Sequence, residues 1–258
     1  MKSVISILAM LLVVATSFGK TSDNINLNIV FVGNSITYGA GLENPTREAP
    51  PVKAAIYLTG QPFIGSVKYS NQGVSGSTTV DFLPETNTLF PKVKAAADKF
   101  KDEDWATLVF SIMLGTNDSA IRGTNGCPVS PKQYQKNMRT IIDKLIELYP
   151  GCKIVVHRPL WYSPNTHNAS EYLQEGLDRL QTYYPEIKKL VKHYNSVKKG
   201  CVYLGDTDGF DYFRKNHKDA FQAENGNSGV FYLHPNKEGA SYLGKLWGKA
   251  IYKITETR

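Results

Sequence analysis

Five short apolar runs, at 27–32, 67–71, 107–114, 153–158 and 201–204, are separated by stretches long enough to hold helices. Most of the runs are rich in Val, Ile and Leu, and most do not alternate polar with apolar residues. That is the pattern of strands buried on both faces, as in a parallel sheet. The intervening stretches carry helical signals. Ser130 is placed to cap a helix over 131–148: Pro131 sits in the first turn, and Tyr134, Met138, Ile141, Ile142 and Leu145 recur at helical spacing before Pro150-Gly151 ends it. A longer helical region covers 170–194, with a break expected near Pro185. A last helix is expected over 237–254, with Tyr242, Leu243, Leu246, Trp247, Ala250 and Ile251 on one face. Alternation of this kind predicts an α/β fold: three layers, doubly wound, with a five-stranded parallel sheet flanked by helices.

With 258 residues, 41% of them hydrophobic, one domain with a large core is expected over 20–258. Residues 1–19 read differently. An early Lys2, an apolar run over 4–15, and the small residues Ser17 and Gly19 before Lys20 make a secretory signal peptide. The run is short for a membrane span of roughly 20 residues, so cleavage near Lys20 and a secreted or periplasmic product without stable membrane insertion are expected. Loss of Lys2 lowers the formal net charge from +7 to +6. The lysines are scattered and carry no nucleic-acid motif, so nucleic acid is not an expected partner. Cys127, Cys152 and Cys201 are an odd number and define no disulfide framework.

Open parallel sheets bind ligands at the carboxyl ends of their strands. Polar strings stand at those ends: "GNSIT" (33–37), "NQGVSG" (71–76), "GTND" (115–118), "HRPLWYSPNTHN" (157–168), and "FYLHPN" (231–236) ahead of the last helix. An acyl-transfer site needs a nucleophile, a base and donors for a developing oxyanion. Ser35 follows a strand and begins a helix, so it reads either as a helix cap or as an exposed nucleophile. Gly73 offers a bare backbone N–H or an ordinary turn. Asn117 offers an amide donor, and His234 a base on a loop; each has an equally plain reading as a surface or turn residue. No phosphate-binding loop, dinucleotide fingerprint, G-x-S-x-G elbow or zinc-ligand spacing is present.

Taken in order, "GNSIT", "NQGVSG", "GTND" and "HPNKEG" (234–239) resemble the SGNH hydrolases, also called the GDSL esterase and lipase family. The resemblance spans nearly all of 20–258. It implies a flavodoxin-like fold, Ser35 as nucleophile and His234 as base. It also implies an oxyanion hole made by the Ser35 N–H, Gly73 and Asn117, with no metal and no cofactor. One position departs from the pattern. The family places an aspartate three residues before the histidine, and Phe231 stands there. The first reading is a Ser–His dyad with the Phe231 carbonyl accepting the His234 Nδ1–H. The alternatives are an acid from elsewhere (Asp206, Asp208 or Glu224) or a degenerate, non-catalytic glycan binder. The loop residues suggest the substrate. Tyr38, Asn44, Arg47, Trp161, Tyr162, Asn165, His167 and Asn168 supply aromatic faces and amides that suit sugar rings. Arg47 is suited to pair a carboxylate. The expected activity is removal of O-acetyl groups from carbohydrate, by analogy with the secreted carbohydrate esterases that "GNSITYGA" resembles. A lipase, lysophospholipase or aryl esterase of the same fold is the alternative.

Overall fold

The computed structural model describes residues 24–256. The leader expected at 1–19 lies outside the described residues. Five strands, β1 (Ile25–Gly33), β2 (Ile64–Gly73), β3 (Thr107–Met113), β4 (Lys153–Val156) and β5 (Val202–Leu204), form one sheet in the order β2-β1-β3-β4-β5. All four pairings are parallel. The fold is therefore the three-layer α/β arrangement expected. A small antiparallel hairpin, β6 (Glu224–Gly226) with β7 (Gly229–Phe231), stands apart from the sheet.

Nine α-helices lie among the described residues: α1 (Ser35–Tyr38), α2 (Pro45–Glu48), α3 (Pro50–Thr59), α4 (Phe90–Asp98), α5 (Pro131–Leu148), α6 (Leu173–Val197), α7 (Gly209–Lys215), α8 (His217–Ala220) and α9 (Lys237–Glu256). The two faces of the sheet can be read from neighbouring residues of β3. Ser111 bonds His157, whose ring stacks at 5.2 Å on Trp247 of α9, and Phe31 of β1 stacks on the same indole at 5.9 Å. Phe110 points the other way, to Tyr149 at the end of α5. So α9, with α3 against it, covers one face, and α5 covers the other. Helix α6 joins α5 through a 4.2 Å stack of Tyr134 on Tyr183.

Ser130 caps α5 by accepting the Gln133 N–H, as its position predicts. The break expected at Pro185 does not occur: α6 runs unbroken from Leu173 to Val197. Pro185 removes one ladder bond, but Leu180, Tyr183, Ile187, Leu190 and Val191 on either side of it are all buried. Burying a side chain of this size stabilises by roughly 1.5–3 kcal/mol. Several such residues outweigh the roughly 3 kcal/mol that an interior proline costs.

Candidate active site

Strand β1 delivers Gly33 to the carboxyl edge, and the chain turns directly into α1. Asn34 is the cap: its Oδ1 accepts the Ile36 N–H at 3.0 Å. Ser35 is then the first helical residue, and its own N–H leaves the helix end with no turn before it to supply an acceptor. The nucleophile and helix-start readings of Ser35 thus describe one geometry.

Ser35 and His234 are 199 positions apart in the chain, yet their Oγ and Nε2 lie 2.9 Å from each other. The histidine loop is pinned from beneath. Gln222 N donates to the His234 carbonyl, Gln222 Nε2 donates to the carbonyls of Ala40 and Pro235, and Asn236 Nδ2 donates to the Asp219 carbonyl.

The partner of His234 Nδ1 is Glu224 Oε2, at 2.8 Å, while Glu224 Oε1 accepts the His234 backbone N–H at 3.1 Å. This corrects the dyad expected from the sequence: the Phe231 carbonyl is not the orienting group. Phe231 pairs directly across the hairpin with Glu224, and its ring is buried in the core. The carboxylate stands not on β7, three residues before the histidine, but opposite that position on β6. Of the acids considered, Asp206 is spent elsewhere, accepting the N–H groups of Asp208 and Gly209. With the carboxylate on Nδ1, that nitrogen carries the proton and Nε2 is the free acceptor facing the Ser35 hydroxyl. This is the tautomer a general base needs.

Asn117 lies in the loop after β3. Its Nδ2 donates to the Ser77 carbonyl at 2.8 Å, leaving the second N–H of the amide for a ligand. Its Oδ1 accepts from Tyr172 Oη at 2.7 Å, which fixes which way the amide points. Burial pushes the Tyr172 phenol well above its ordinary range, so it stays a donor. The next residue, Asp118, is wholly buried on the Thr79 hydroxyl and N–H, and loss of water raises its carboxyl to about 6.

The structure does not place Gly73 as expected. Its N–H is already donated to Asn71 Oδ1, and a Cβ there would collide with the backbone N of Tyr38. Gly73 is a glycine so that β2 can run close beneath α1. The second glycine of the same string, Gly76, has φ +78° and open space where a Cβ would lie, and its N–H donates to nothing among the described residues. It immediately precedes Ser77, the residue to which Asn117 is tied. The second glycine of "NQGVSG" was the signal available in the sequence.

Two of the expected substrate contacts are core residues instead. Trp161 (8% exposed) packs against Phe221 and His217, and Tyr162 (0%) bonds Ser119. The loop after β4 turns inward: Trp161 is covered from the α8 side, and Tyr162 lies edge-on to Tyr172 at 5.4 Å. Arg47 remains exposed on α2 and lines a polar hollow of about 550 Å³ with Glu43, Lys53 and Lys237. In that hollow Lys237 is paired with Glu48 at 2.8 Å, and this pairing holds the Glu48 carboxyl below its usual range. On the other side of α2 is a hollow of about 360 Å³ lined by Tyr38, Pro45, Thr46, Val52, Tyr69 and Asn71. Tyr38 (49%) and Tyr69 (37%) are among the few large apolar side chains left exposed.

A serine at the carboxyl edge of an α/β sheet, its hydroxyl on a histidine and that histidine on a carboxylate, defines the class of serine hydrolases. Residues 31–241 match the model of the GDSL-like lipase and acylhydrolase family, and the chain belongs to that family. No curated protein matches the chain by sequence. Solved structures share its fold. Est24, a carbohydrate acetylesterase from Sinorhizobium meliloti, matches with a TM-score of 0.59 at 16% identity, over 88% of this chain and 99% of that one. The M. smegmatis aryl esterase gives 0.58 at 15% identity, over 88% and 99%. A two-domain esterase active on acetylated mannans gives 0.54 at 14% identity, over 91% of this chain and 50% of that one.

Proposed function

We propose that this hydrolase removes O-acetyl or other short acyl groups from carbohydrate, through an acyl-enzyme on Ser35. The observation that carries the chemistry is the relay from Ser35 Oγ to His234 Nε2 (2.9 Å) and from His234 Nδ1 to Glu224 (2.8 Å). Nε2 takes the hydroxyl proton as Oγ attacks the ester carbonyl. The carboxylate stabilises the imidazolium that results, and His234 returns the proton to the leaving alcohol. The Ser35 N–H, the Gly76 N–H and the free N–H of Asn117 Nδ2 hold the oxyanion. Water then repeats the sequence on the acyl-enzyme and releases the acid.

The sugar reading rests on what flanks the site. Tyr38 lies one helical turn beyond Ser35, and with Tyr69 it offers ring faces and phenol hydroxyls in a hollow of about 360 Å³. That volume lies within the usual range of small-molecule sites. Arg47 and Lys53 on the far side of α2 suit an acidic sugar. The carbohydrate esterases among the structural relatives favour the same substrate class. The signal-like residues 1–19 add export to the proposal.

The test is acetate release from acetylated xylan, pectin and sialoglycans, beside p-nitrophenyl acetate and long-chain esters. Acetylated glycans and short esters are expected to turn over far faster than long-chain esters; a preference for long chains would overturn the reading. Ser35→Ala is expected to lower kcat by at least about 10⁴-fold. An active Ser35→Ala enzyme would remove this serine from the mechanism.

A further inference from the structure

The amides after β4 that suggested a sugar site are engaged elsewhere. Asn165 Nδ2 donates to two carbonyls of the β6–β7 hairpin, Ser228 at 3.1 Å and Val230 at 2.7 Å. The tip of the hairpin is held as well: Asn227 N donates to the His167 carbonyl at 2.7 Å, and Asn227 Nδ2 to the Asn168 carbonyl at 3.0 Å. At its base, Ser163 N donates to the Tyr232 carbonyl while Ser163 Oγ accepts the Tyr232 N–H at 2.8 Å. Gly226 lets the two backbones touch, since a Cβ there would collide with the His167 carbonyl oxygen.

We propose that the 163–168 loop is a clamp that positions Glu224 against His234, with Asn165 as its principal positioning residue. The hairpin has only three residues in each strand and pairs with no strand of the main sheet. A two-stranded hairpin of this size has little stability of its own. Yet it carries the carboxylate whose two oxygens must meet the His234 Nδ1–H and backbone N–H together. An acid on the histidine's own loop would move with its partner. An acid across a hairpin keeps register only while the hairpin is held, and Asn165 closes on the two carbonyls that flank Gly229 in the returning strand. Displacements of about 1 Å in catalytic groups cost on the order of a hundredfold in rate.

The proposal rests on the acyl-transfer reading, which Ser35→Ala tests separately, so the two can fail independently. Asn165→Ala is expected to lower kcat for p-nitrophenyl acetate between about tenfold and a hundredfold, leaving KM and the thermal midpoint little changed. In a Glu224→Ala background the same substitution is expected to have no further effect, because the group it positions is gone. Asn165→Asp keeps the shape but turns a carboxylate toward two carbonyls, and it is expected to fall at least as far. Should the Asn165 variants fail to fold, Asn227→Ala removes only the side-chain bond at the tip. It is expected to give a smaller loss that is also absent in the Glu224→Ala background. Wild-type kcat in the folded variants, or a loss that persists in full without Glu224, overturns the clamp.

Discussion

Glu224 and Phe231 face each other across one register position, and they divide what the family pattern puts in a single residue. Glu224 supplies the charge, and Phe231 supplies buried apolar volume. Their substitutions should separate accordingly. Glu224→Gln keeps the shape but cannot stabilise imidazolium, and kcat is expected to fall roughly 10³- to 10⁴-fold with the fold intact. Phe231→Leu should cost about 1.5 kcal/mol of stability or less and leave kcat within a few-fold. Kinetics with urea unfolding on both variants checks the pair; a Glu224→Gln enzyme near wild-type rate would show that the Glu224 charge is not needed to stabilise the imidazolium. Ser35, Asn117 and His234 were legible because each sits in a local string beside a strand end. Glu224 stood in the sequence only as one of three candidate acids behind the Phe231 carbonyl, because its role depends on pairing. The string "ENGNSGVF" does hold the information: a turn over Asn227-Ser228 pairs Gly226 with Gly229, and counting outward sets Glu224 against Phe231.

The contact between α1 and β2 explains why one string contains two glycines with different duties. Gly73 lies against the α1 backbone at Tyr38, so a methyl group there must push away the helix that begins at Ser35. Gly73→Ala is expected to destabilise by about 1–3 kcal/mol and to lower kcat as Ser35 shifts. Gly76→Ala meets no neighbour within 4 Å and costs only the left-handed backbone penalty, about 1–2 kcal/mol. Thermal unfolding of the two variants, with kcat for Gly73→Ala, reports the difference; a harmless Gly73→Ala would show that α1 has room to move. Strand and helix existence was readable from apolar runs and helical spacing, which are properties of the elements themselves. The inward turn of the loop after β4 was not. Trp161 and Tyr162 look like a sugar platform in the string, and only tertiary packing against His217, Phe221, Tyr172 and Ser119 makes them core.

Across the whole molecule, a second serine–histidine contact gives a control for the first. Ser111 Oγ and His157 Nε2 are also 2.9 Å apart, on buried side chains in the middle of the sheet. There the Asp206 N–H donates to Nδ1, so Nε2 carries the proton and donates to Ser111. This polarity is the reverse of a general base, and the pair ties β3 to the ends of β4 and β5. Burial lowers His157 to about 3, against an ordinary 6.5. A depressed folded-state value means that the unfolded chain takes the proton first. The stability linked to His157 is therefore complete above pH 6.5 and is lost as pH falls toward 3, at up to about 1.4 kcal/mol per unit. Asp118 and Asp206, both raised to about 6, act in the opposite sense and favour the fold as pH drops from 6 toward 3.8. His157→Gln isolates the histidine. Its stability deficit relative to the wild type should narrow by up to about 1.4 kcal/mol for each unit between pH 6.5 and 4, as urea unfolding at several pH values would show. A constant deficit would mean that His157 is not held neutral.

The placement of Glu224 also bears on how active members of such families are counted. A survey that demands an acid three residues before the histidine would set this chain among the inactive relics. A survey that folds the short hairpin first and looks across it would keep the chain among the working enzymes. Wherever a small antiparallel turn precedes the histidine, the missing acid is best sought by register rather than by spacing.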